Sequence, residues 1–568
     1  MVLVSRVDLM VIAVYMVLMV VVGVLLSYFN KSDSDFFKSG NKMPWWLSGF
    51  SFFMTSFSVW TFTGAAGLAY RAPAVGMLMY LSNALTMSWG VFFLAKLWRR
   101  SRSATIMSYL SERYGVSTNQ VYSWTHLVLS LVQGGIQLLA LGTFISVAMG
   151  TDLRLTIIVC GVVIAIYCLI GGLWAVVVTD TLQFMVLFPI ALVVMFLGLH
   201  EMGGVSALWN KAPEGLWQIH TQEFSWSYLL AYAIVMSFAF NSGSAAQRYF
   251  SVKNEKEARK TALLSMILLL STPAVFLLPP VASRLTGLDL SSITLGLSAP
   301  EEAAYVGFCL KYLPAGAIGI MLAAMLSATM SSLSATFNAY AGVLTEDIIR
   351  QIFWKKASSK TLLLIGRLTT LIFGGMVIGA AIWQSTSKGG VFGLMMTFSG
   401  IVIVPAGIPI VCGLFYRHTP RWAGIASFMT GLTIGSLCLY LNIKLTFTDQ
   451  VFYLGGISAA IYFLPGLFLK PKEEYKSALD RLFAKLTAPV LPDEVGDTET
   501  TDLGSLRITG WTTVSMGLAV MALALLNLPL RGRLINLVIG ILTAAIGAWL
   551  LGAAWIIVHR KRAALPKT

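Results

Sequence analysis

The chain has 568 residues, 57% of them apolar and only 11% charged, with a mean hydropathy of +0.78. Soluble domains carry about a quarter charged residues, so an ordinary soluble enzyme, a disordered chain and a disulfide scaffold are all excluded. The 40 Lys and Arg against 25 Asp and Glu raise nucleic acid as a partner, but the placement of those charges argues otherwise. Cys160, Cys168, Cys309, Cys412 and Cys438 are scattered, mostly within apolar runs, and read as core residues rather than a metal or disulfide framework.

A helix crosses the hydrocarbon layer with about 20 apolar residues. In chain order, segments that meet this test lie near 8–29, 44–70, 72–98, 120–149, 153–177, 179–200, 227–247, 261–283, 314–345, 361–386, 389–415, 421–442, 450–469, 509–528 and 534–558. The fold class is therefore an all-α polytopic membrane protein with about fifteen transmembrane helices. The first segment is too long for a cleaved signal peptide and lacks a cleavage site before the basic loop 30–43. With the amino terminus outside, loops 30–43, 96–117, 248–260, 346–360, 416–421 and 470–507 and the tail 559–568 fall inside. They carry 29 of the 40 Lys and Arg residues. Basic residues stay inside, so the excess charge is an orientation signal that puts the carboxy terminus in the cytoplasm. Nucleic-acid binding is not expected.

Within the large inner loop, Leu479, Leu482, Phe483 and Leu486 recur at helical spacing beside Lys476, Arg481 and Lys485. That pattern predicts a helix lying on the inner membrane surface, followed by an acidic linker from Pro492 to Asp502. There is no Gly-Lys dipeptide, hence no phosphate loop and no nucleotide partner. Transport is driven by a gradient or is passive. The histidines show no metal-ligand spacing, and no nucleophile–base pair stands out, so an enzyme is not expected.

Oxygens and charges inside a span are costly and invite a functional reading. The second segment carries Thr55, Ser56, Ser58, Thr61 and Thr63 before Gly64 and Gly67. These are poor helix formers, and a break there would free carbonyls for an ion; packing through small residues is the competing reading. In the ninth segment Ala328, Ser331 and Ser332 share one helical face. They offer two hydroxyls and a carbonyl to a hard cation, and two carbonyls from a broken helix would complete a neutral five-oxygen cage suited to a monovalent ion. Asp180, at the expected start of the sixth segment, reads either as a helix cap or as a group that tunes or binds a cation. Gln133 and Gln137 share a face of the fourth segment, and Asn241 ends the seventh; such amides glue helices or line a cavity. Arg367 falls within a span and is assigned no role.

The blocks SFFMTSFSVWTFTGAAG, GGLWAVVVTDTLQF, AAQRYFSVKNEKEARK, MSSLSATFNAYAGVLTEDI and VPAGIPIVCGLFYRHTP together resemble the sodium/solute symporter family over about residues 8–470. The resemblance implies an inverted five-helix-repeat, LeuT-like core, with residues 44–200 and 227–415 as its halves. Residues 1–43 form an extra helix and basic loop, 201–226 an outer loop, and 416–470 two peripheral helices. A cytoplasmic segment, 471–508, then leads to two added helices in 509–568. The resemblance makes Ala328, Ser331 and Ser332, with the carbonyls of Met54 and Phe57, the core sodium site. It places Asp180 and Ser334 at a second sodium or tuning position, where the next residue, Ala335, lacks the expected oxygen. The glutamine, glutamate and lysine of the family's sugar site are absent, and no arginine is expected in the cavity. The solute-binding candidates are Ser56, Ser58, Thr61, Asn83, Gln133, Gln137 and Asn241, with Phe238 at an aromatic gate position. These neutral hydrogen-bonders favour a small polar organic solute.

The sequence thus predicts a secondary transporter of the plasma (bacterial inner) membrane that couples sodium entry to solute uptake by alternating access. A sodium-independent facilitator, or a transporter-like sensor signalling through 470–568, remains as an alternative.

Overall fold

The computed structural model describes residues 4–27, 43–103, 105–168, 173–221, 223–290, 299–354, 358–387, 390–469, 473–491, 494, 499–526 and 528–564. Nearly all of the basic loop expected at 30–43, and the part of the acidic linker at 492–498 other than Glu494, lie outside them. The described chain is helical, with one isolated bridge between Met43 and Val252. Eleven of its helices are long and apolar enough to cross a membrane. Adding α1 (Arg6–Ser27), one interrupted helix and two shorter apolar helices gives the fifteen crossings expected.

The interrupted helix is the hydroxyl-rich second segment. Helix α2 (Trp45–Thr55) stops, a 3-10 turn spans Val59–Phe62, and α3 (Gly64–Arg71) resumes. Thr55 Oγ1 donates to Ser51 O and Thr63 Oγ1 to Val59 O, the local side-chain bonding by which hydroxyls compete with a helix ladder. The chain continues through α4 (Pro73–Ser101), α5 (Ile106–Tyr114), α6 (Val116–Met149), α7 (Leu153–Cys168) and α8 (Leu173–Met202).

The second expected half also opens on an interruption, which the sequence reading ran through as one span. Helix α9 (Trp226–Ala239) ends, and α10 (Ser244–Ser251) begins after Gly243. Gly243 has φ +57° and ψ −129°, a conformation that side-chain-bearing residues avoid. Then follow α11 (Glu255–Leu285), α12 (Ala304–Tyr312), α13 (Ala317–Gly342), α14 (Ser359–Gln384) and α15 (Gly390–Gly407).

Helix α13 is the axis of the molecule. Every residue from Ala317 to Ser334 is buried, and α1, α2, α6, α8 and α14 all pack on it. The outer helices present apolar stripes, such as Leu155, Val159, Val162 and Ile166 on α7 and Leu364, Leu368, Leu371 and Ile372 on α14. With lipid as their solvent these faces need no polar cover.

After α16 (Ala423–Tyr440) and α17 (Phe447–Phe468) comes α18 (Glu473–Thr487), the amphipathic helix. Its apolar stripe faces protein. Tyr475, Leu479, Leu482 and Leu486 are buried against the end of α4 and against α5. The buried Arg113 donates to Gly413 O, Tyr416 O and the Tyr475 hydroxyl, and Arg102 pairs with Glu494 at 2.6 Å. A hydrophobic stripe predicts burial but not what provides it. The last two helices, α19 (Glu499–Ala522) and α20 (Leu530–Ala564), form a hairpin, with α19 starting ten residues before the expected 509. Their glycines face one another: a Cβ on Gly517 would lie 2.7 Å from Gly540 O, the close approach that small residues permit between membrane helices.

Gly243 tests the second break. No atom lies within 4 Å of a Cβ built there, so Gly243→Ala meets no clash and its cost is the backbone strain alone, about 1–3 kcal/mol. A lowered melting temperature of the purified protein is expected.

Candidate functional site

Ser331 and Ser332 lie 1% and 3% exposed on α13, with Ala328 wholly buried one turn before. Helix α2 and the 3-10 turn both pack on α13, so the interrupted segment lies against the serine-bearing helix. Met54 O accepts from Phe57 N at 3.2 Å and keeps a second lone pair. Ser332 Oγ donates to Thr329 O at 3.1 Å, which leaves its lone pairs for an acceptor role. Ser331 Oγ makes no hydrogen bond of good geometry among the described residues. A buried hydroxyl left poorly paired is costly, and a bound cation would relieve it. The donor set is neutral oxygen throughout, which fits a hard monovalent ion. No cluster of His, Cys, Asp or Glu suited to a metal is found among the described residues.

Asp180 is not a helix cap, because α8 begins seven residues earlier at Leu173. Its carboxylate is fully buried. Ser51 Oγ donates to Oδ2 at 2.5 Å, and Arg248 Nη2 lies 3.5 Å from the same oxygen while donating to Thr55 Oγ1 at 2.8 Å. Asp180 Oδ1 and Ser331 Oγ make no hydrogen bond of good geometry among the described residues, but the Ser331 hydroxyl lies against the Asp180 carboxylate and interacts with it. Ser334 Oγ is turned back on Ser331 O at 3.0 Å. Ser51 and Arg248 were missed in the sequence. Arg248 was counted with the basic inner loop, yet it is 1% exposed, and only its place in the AAQRYF block hinted at more.

A cavity of about 680 Å³ opens beside this cluster, lined by Gln133 and Gln137 as expected, and by Ser332, Thr55, His126, Ser242 and Asn338. Gln137 Oε1 has no partner among the described residues. Arg350 also lines the cavity, against the expectation that no arginine would, though it has a partner of its own. It lies on the turn continuing α13, in what read as an inner loop.

The other expected solute residues are not among those lining this cavity. Ser56 and Ser58 are half-buried in the break. Thr61 accepts from the Tyr80 hydroxyl at 2.8 Å. Asn83 is buried on α4, its Oδ1 unpartnered among the described residues. Phe238 packs on Gly407, where a Cβ would come within 2.6 Å of its own, so it closes the α9–α15 contact. Asn241 Nδ2 donates to Ser237 O and Thr86 O, its backbone carbonyl accepts from Trp98 Nε1, and its Oδ1 has no partner among the described residues; it anchors the second break.

A family model described as Sodium:solute symporter family matches residues 36–431. The chain belongs to the sodium:solute symporter family. Similar relatives include the sheep sodium/glucose cotransporter 1, 26% identical over 473 residues, covering 75% of this chain and 71% of that one. The Vibrio parahaemolyticus sodium/glucose cotransporter is 25% identical over 492 residues, covering 79% and 88%. A substrate-bound, outward-open Na+-coupled sialic acid symporter shares the fold, with a TM-score of 0.71 at 21% identity, covering 83% of this chain and 99% of that one. The protein is thus a sodium-coupled solute symporter on a LeuT-like inverted-repeat fold.

The symporter has a second cavity at the opposite end of α15. Residues 398–410 face the cavity just described, whereas Phe392–Thr397 face a second one of about 820 Å³. Trp60 stacks between Tyr80 and Phe392, at 6.4 and 6.1 Å between ring centroids. Arg71 joins Glu223 at 3.0 Å and Glu301 at 3.2 Å. Glu302 accepts from Phe392 N at 2.9 Å, at the start of α15. Burial pushes the Glu302 carboxyl up to about 7, with the Phe392 N–H pulling the other way.

An acid whose pKa is raised by folding binds its proton more tightly in the folded state, so this contact gains stability as pH falls through about 7. The melting temperature should rise between pH 8 and pH 6, and Glu302→Gln should remove that part of the rise.

Proposed function

We propose that the symporter binds sodium between the carbonyls of Met54, Phe57 and Ala328 and the hydroxyls of Ser331 and Ser332. The observation that carries this reading is the buried Ser331 hydroxyl, which makes no hydrogen bond of good geometry and lies against the Asp180 carboxylate, beside Ser332, which itself borders the Gln133–Gln137 cavity. Sodium there shares a wall with the solute. Asp180 tunes the site. Its charge is already met by Arg248, and with Ala335 offering no oxygen and Ser334 turned inward, one sodium per cycle is the simpler reading.

The solute is a small, neutral, polar organic molecule. Gln133 and Gln137 offer both donors and acceptors, as a hydroxyl-bearing solute requires, and the nearby arginines are engaged by protein partners. The sodium/glucose cotransporters among the relatives agree with this class. The protein works in the plasma (bacterial inner) membrane with its amino terminus outside and its carboxy terminus in the cytoplasm. In that orientation the Gln-lined cavity, which reaches Thr105–Ser108 and Arg350, opens to the cytoplasm, and the Trp60 stack with the Arg71–Glu223 and Arg71–Glu301 pairs closes the outside. The conformation is the one that releases sodium and solute inward. One charge crossing about 100 mV yields roughly 2.3 kcal/mol, close to a 50-fold accumulation at about 1.4 kcal/mol per tenfold.

Thermal-shift titration of purified protein with sodium against potassium tests the ion site. Sodium-selective stabilisation that Ser332→Ala removes is expected; an equal response to both salts, or an unaltered mutant, would refute it. With sodium present, the same assay screens neutral polyols and sugars. For the solute found, Gln137→Ala should raise the half-saturating concentration about two- to tenfold, the value of one hydrogen bond, without moving the sodium midpoint.

A further inference from the structure

We infer that the helices outside the two halves, α1 and the α19–α20 hairpin, set the seat of α13 and thereby the sodium affinity, with Asp8 and Tyr15 as the positioning residues. The inference rests on the sodium reading at Ser331 and Ser332.

Helix α13 has no cap of its own. Its first residues are glycine and alanine, Gly316 stands at φ +86°, and no side chain caps it from within. The exposed N–H groups at a helix start need acceptors, and here the helix start is buried. Asp8 supplies them from α1: its Oδ1 accepts from Gly316 N at 2.7 Å and Gly319 N at 2.8 Å. Its Oδ2 is held by Ser5 N at 2.9 Å and Ser5 Oγ at 2.5 Å. A carboxylate at this end also meets the positive pole of the helix dipole. The two backbones touch, since a Cβ on Gly319 would lie 2.7 Å from both Asp8 Cα and Asp8 O.

A second anchor follows two turns on. Ser327 Oγ donates to the Tyr15 hydroxyl at 2.6 Å. Asp8 and Tyr15 are about 10 Å apart along α1, and Gly319 and Ser327 about 12 Å apart along α13, at about 1.5 Å rise per residue. One anchor would leave α13 free to pivot; two fix its height and its rotation. Ser327 immediately precedes Ala328, whose carbonyl faces the proposed ion, and the paired serines follow one turn later.

The terminal hairpin grips the same end. Asn536 Nδ2 donates to Ala315 O at 3.3 Å, a Cβ on Gly532 would sit 2.9 Å from Pro314, and Arg531 pairs with Glu201 on α8. Helix α1 thus packs on both α13 and α8, the two helices that carry Ser331, Ser332 and Asp180, while the hairpin packs on α8 and grips the residues that lead into α13. The cage takes its other carbonyls from α2, so its size depends on where α13 is seated. Ligand geometry tolerates only about 0.5 Å of error, a fraction of one residue's rise.

The test uses the full-length purified protein and the sodium midpoint of its thermal stabilisation, with potassium as control. Tyr15→Phe and Ser327→Ala should each raise that midpoint about two- to tenfold, the range for one hydrogen bond. The double variant should shift no further than the larger single, because the two residues share that bond. Asn536→Ala should shift it the same way by less. A sodium-free melting temperature that falls while the sodium midpoint stays put would mean a merely structural tie and would overturn the inference, even if Asp8→Asn proves too unstable to purify. A wild type without sodium-selective stabilisation would overturn the sodium reading itself, and this inference with it. A wild type that responds, with unmoved variants, overturns only the inference.

Discussion

The symporter depends on two helices that stop inside a low-dielectric layer. A membrane helix is tolerated because it satisfies every N–H and C=O internally, so stopping one in mid-membrane leaves groups that something else must satisfy. Here α2 stops before Ser56 and α9 stops before Phe240. The two breaks are treated differently. Asn241 ties the second through Thr86, Ser237 and Trp98, though its own Oδ1 has no partner among the described residues. At the first, α2 and the 3-10 turn pack on α13, whose Ser331 lies against the Asp180 carboxylate. On the proposed sodium reading, the first break serves the ion and the second holds the shape.

The same logic explains the charge arrangement. A lone buried carboxylate at Asp180 would be prohibitive, and Arg248 with Ser51 makes it tolerable. Those partners sit on α10 and α2, one part of each interrupted helix, whereas Asp180 sits on α8. The ion pair therefore joins both interrupted helices to α8, beside Ser331. Any change in the balance of charge there is felt by both interrupted helices together, which is what coupling an ion to a conformational change requires.

Much of this was legible in the sequence, for physical reasons that also mark where legibility ended. The crossings were readable because lipid imposes a length of apolar chain, and the first break because five hydroxyl residues crowd Thr55–Thr63. Ser331 and Ser332 were readable because helical periodicity puts them on one face. The second break was not, since Gly243 acts through its backbone angles and FNSGS is short enough to pass for a helix end. Arg248 was misplaced because a charge next to a basic loop looks like part of it; only packing shows it to be buried. Asn241 and Phe238 were read as cavity residues because a polar or aromatic group inside a span signals importance without direction. Helix α18 repeats that lesson, its apolar stripe covering protein rather than lipid.

The two ends of α15 are held in unequal ways. At its start Trp60 lies between Tyr80 and Phe392, Arg71 bridges two glutamates, and Glu302 accepts from Phe392 N. The Arg71 pairs are partly solvated and each worth little, whereas the Trp60 stack and Glu302 are buried. Away from that end α18 straps α4 and α5 with Arg102, Arg113 and a buried leucine face. That strap cannot be shed piecemeal, because its apolar face would be left bare. On the proposed sodium reading, α13, held by α1 through Asp8 and Tyr15, supplies the fixed half of the cage and the interrupted helices supply the part that moves. Alternating access needs one such immobile reference. Otherwise a sodium ion could bind without its energy reaching the gates.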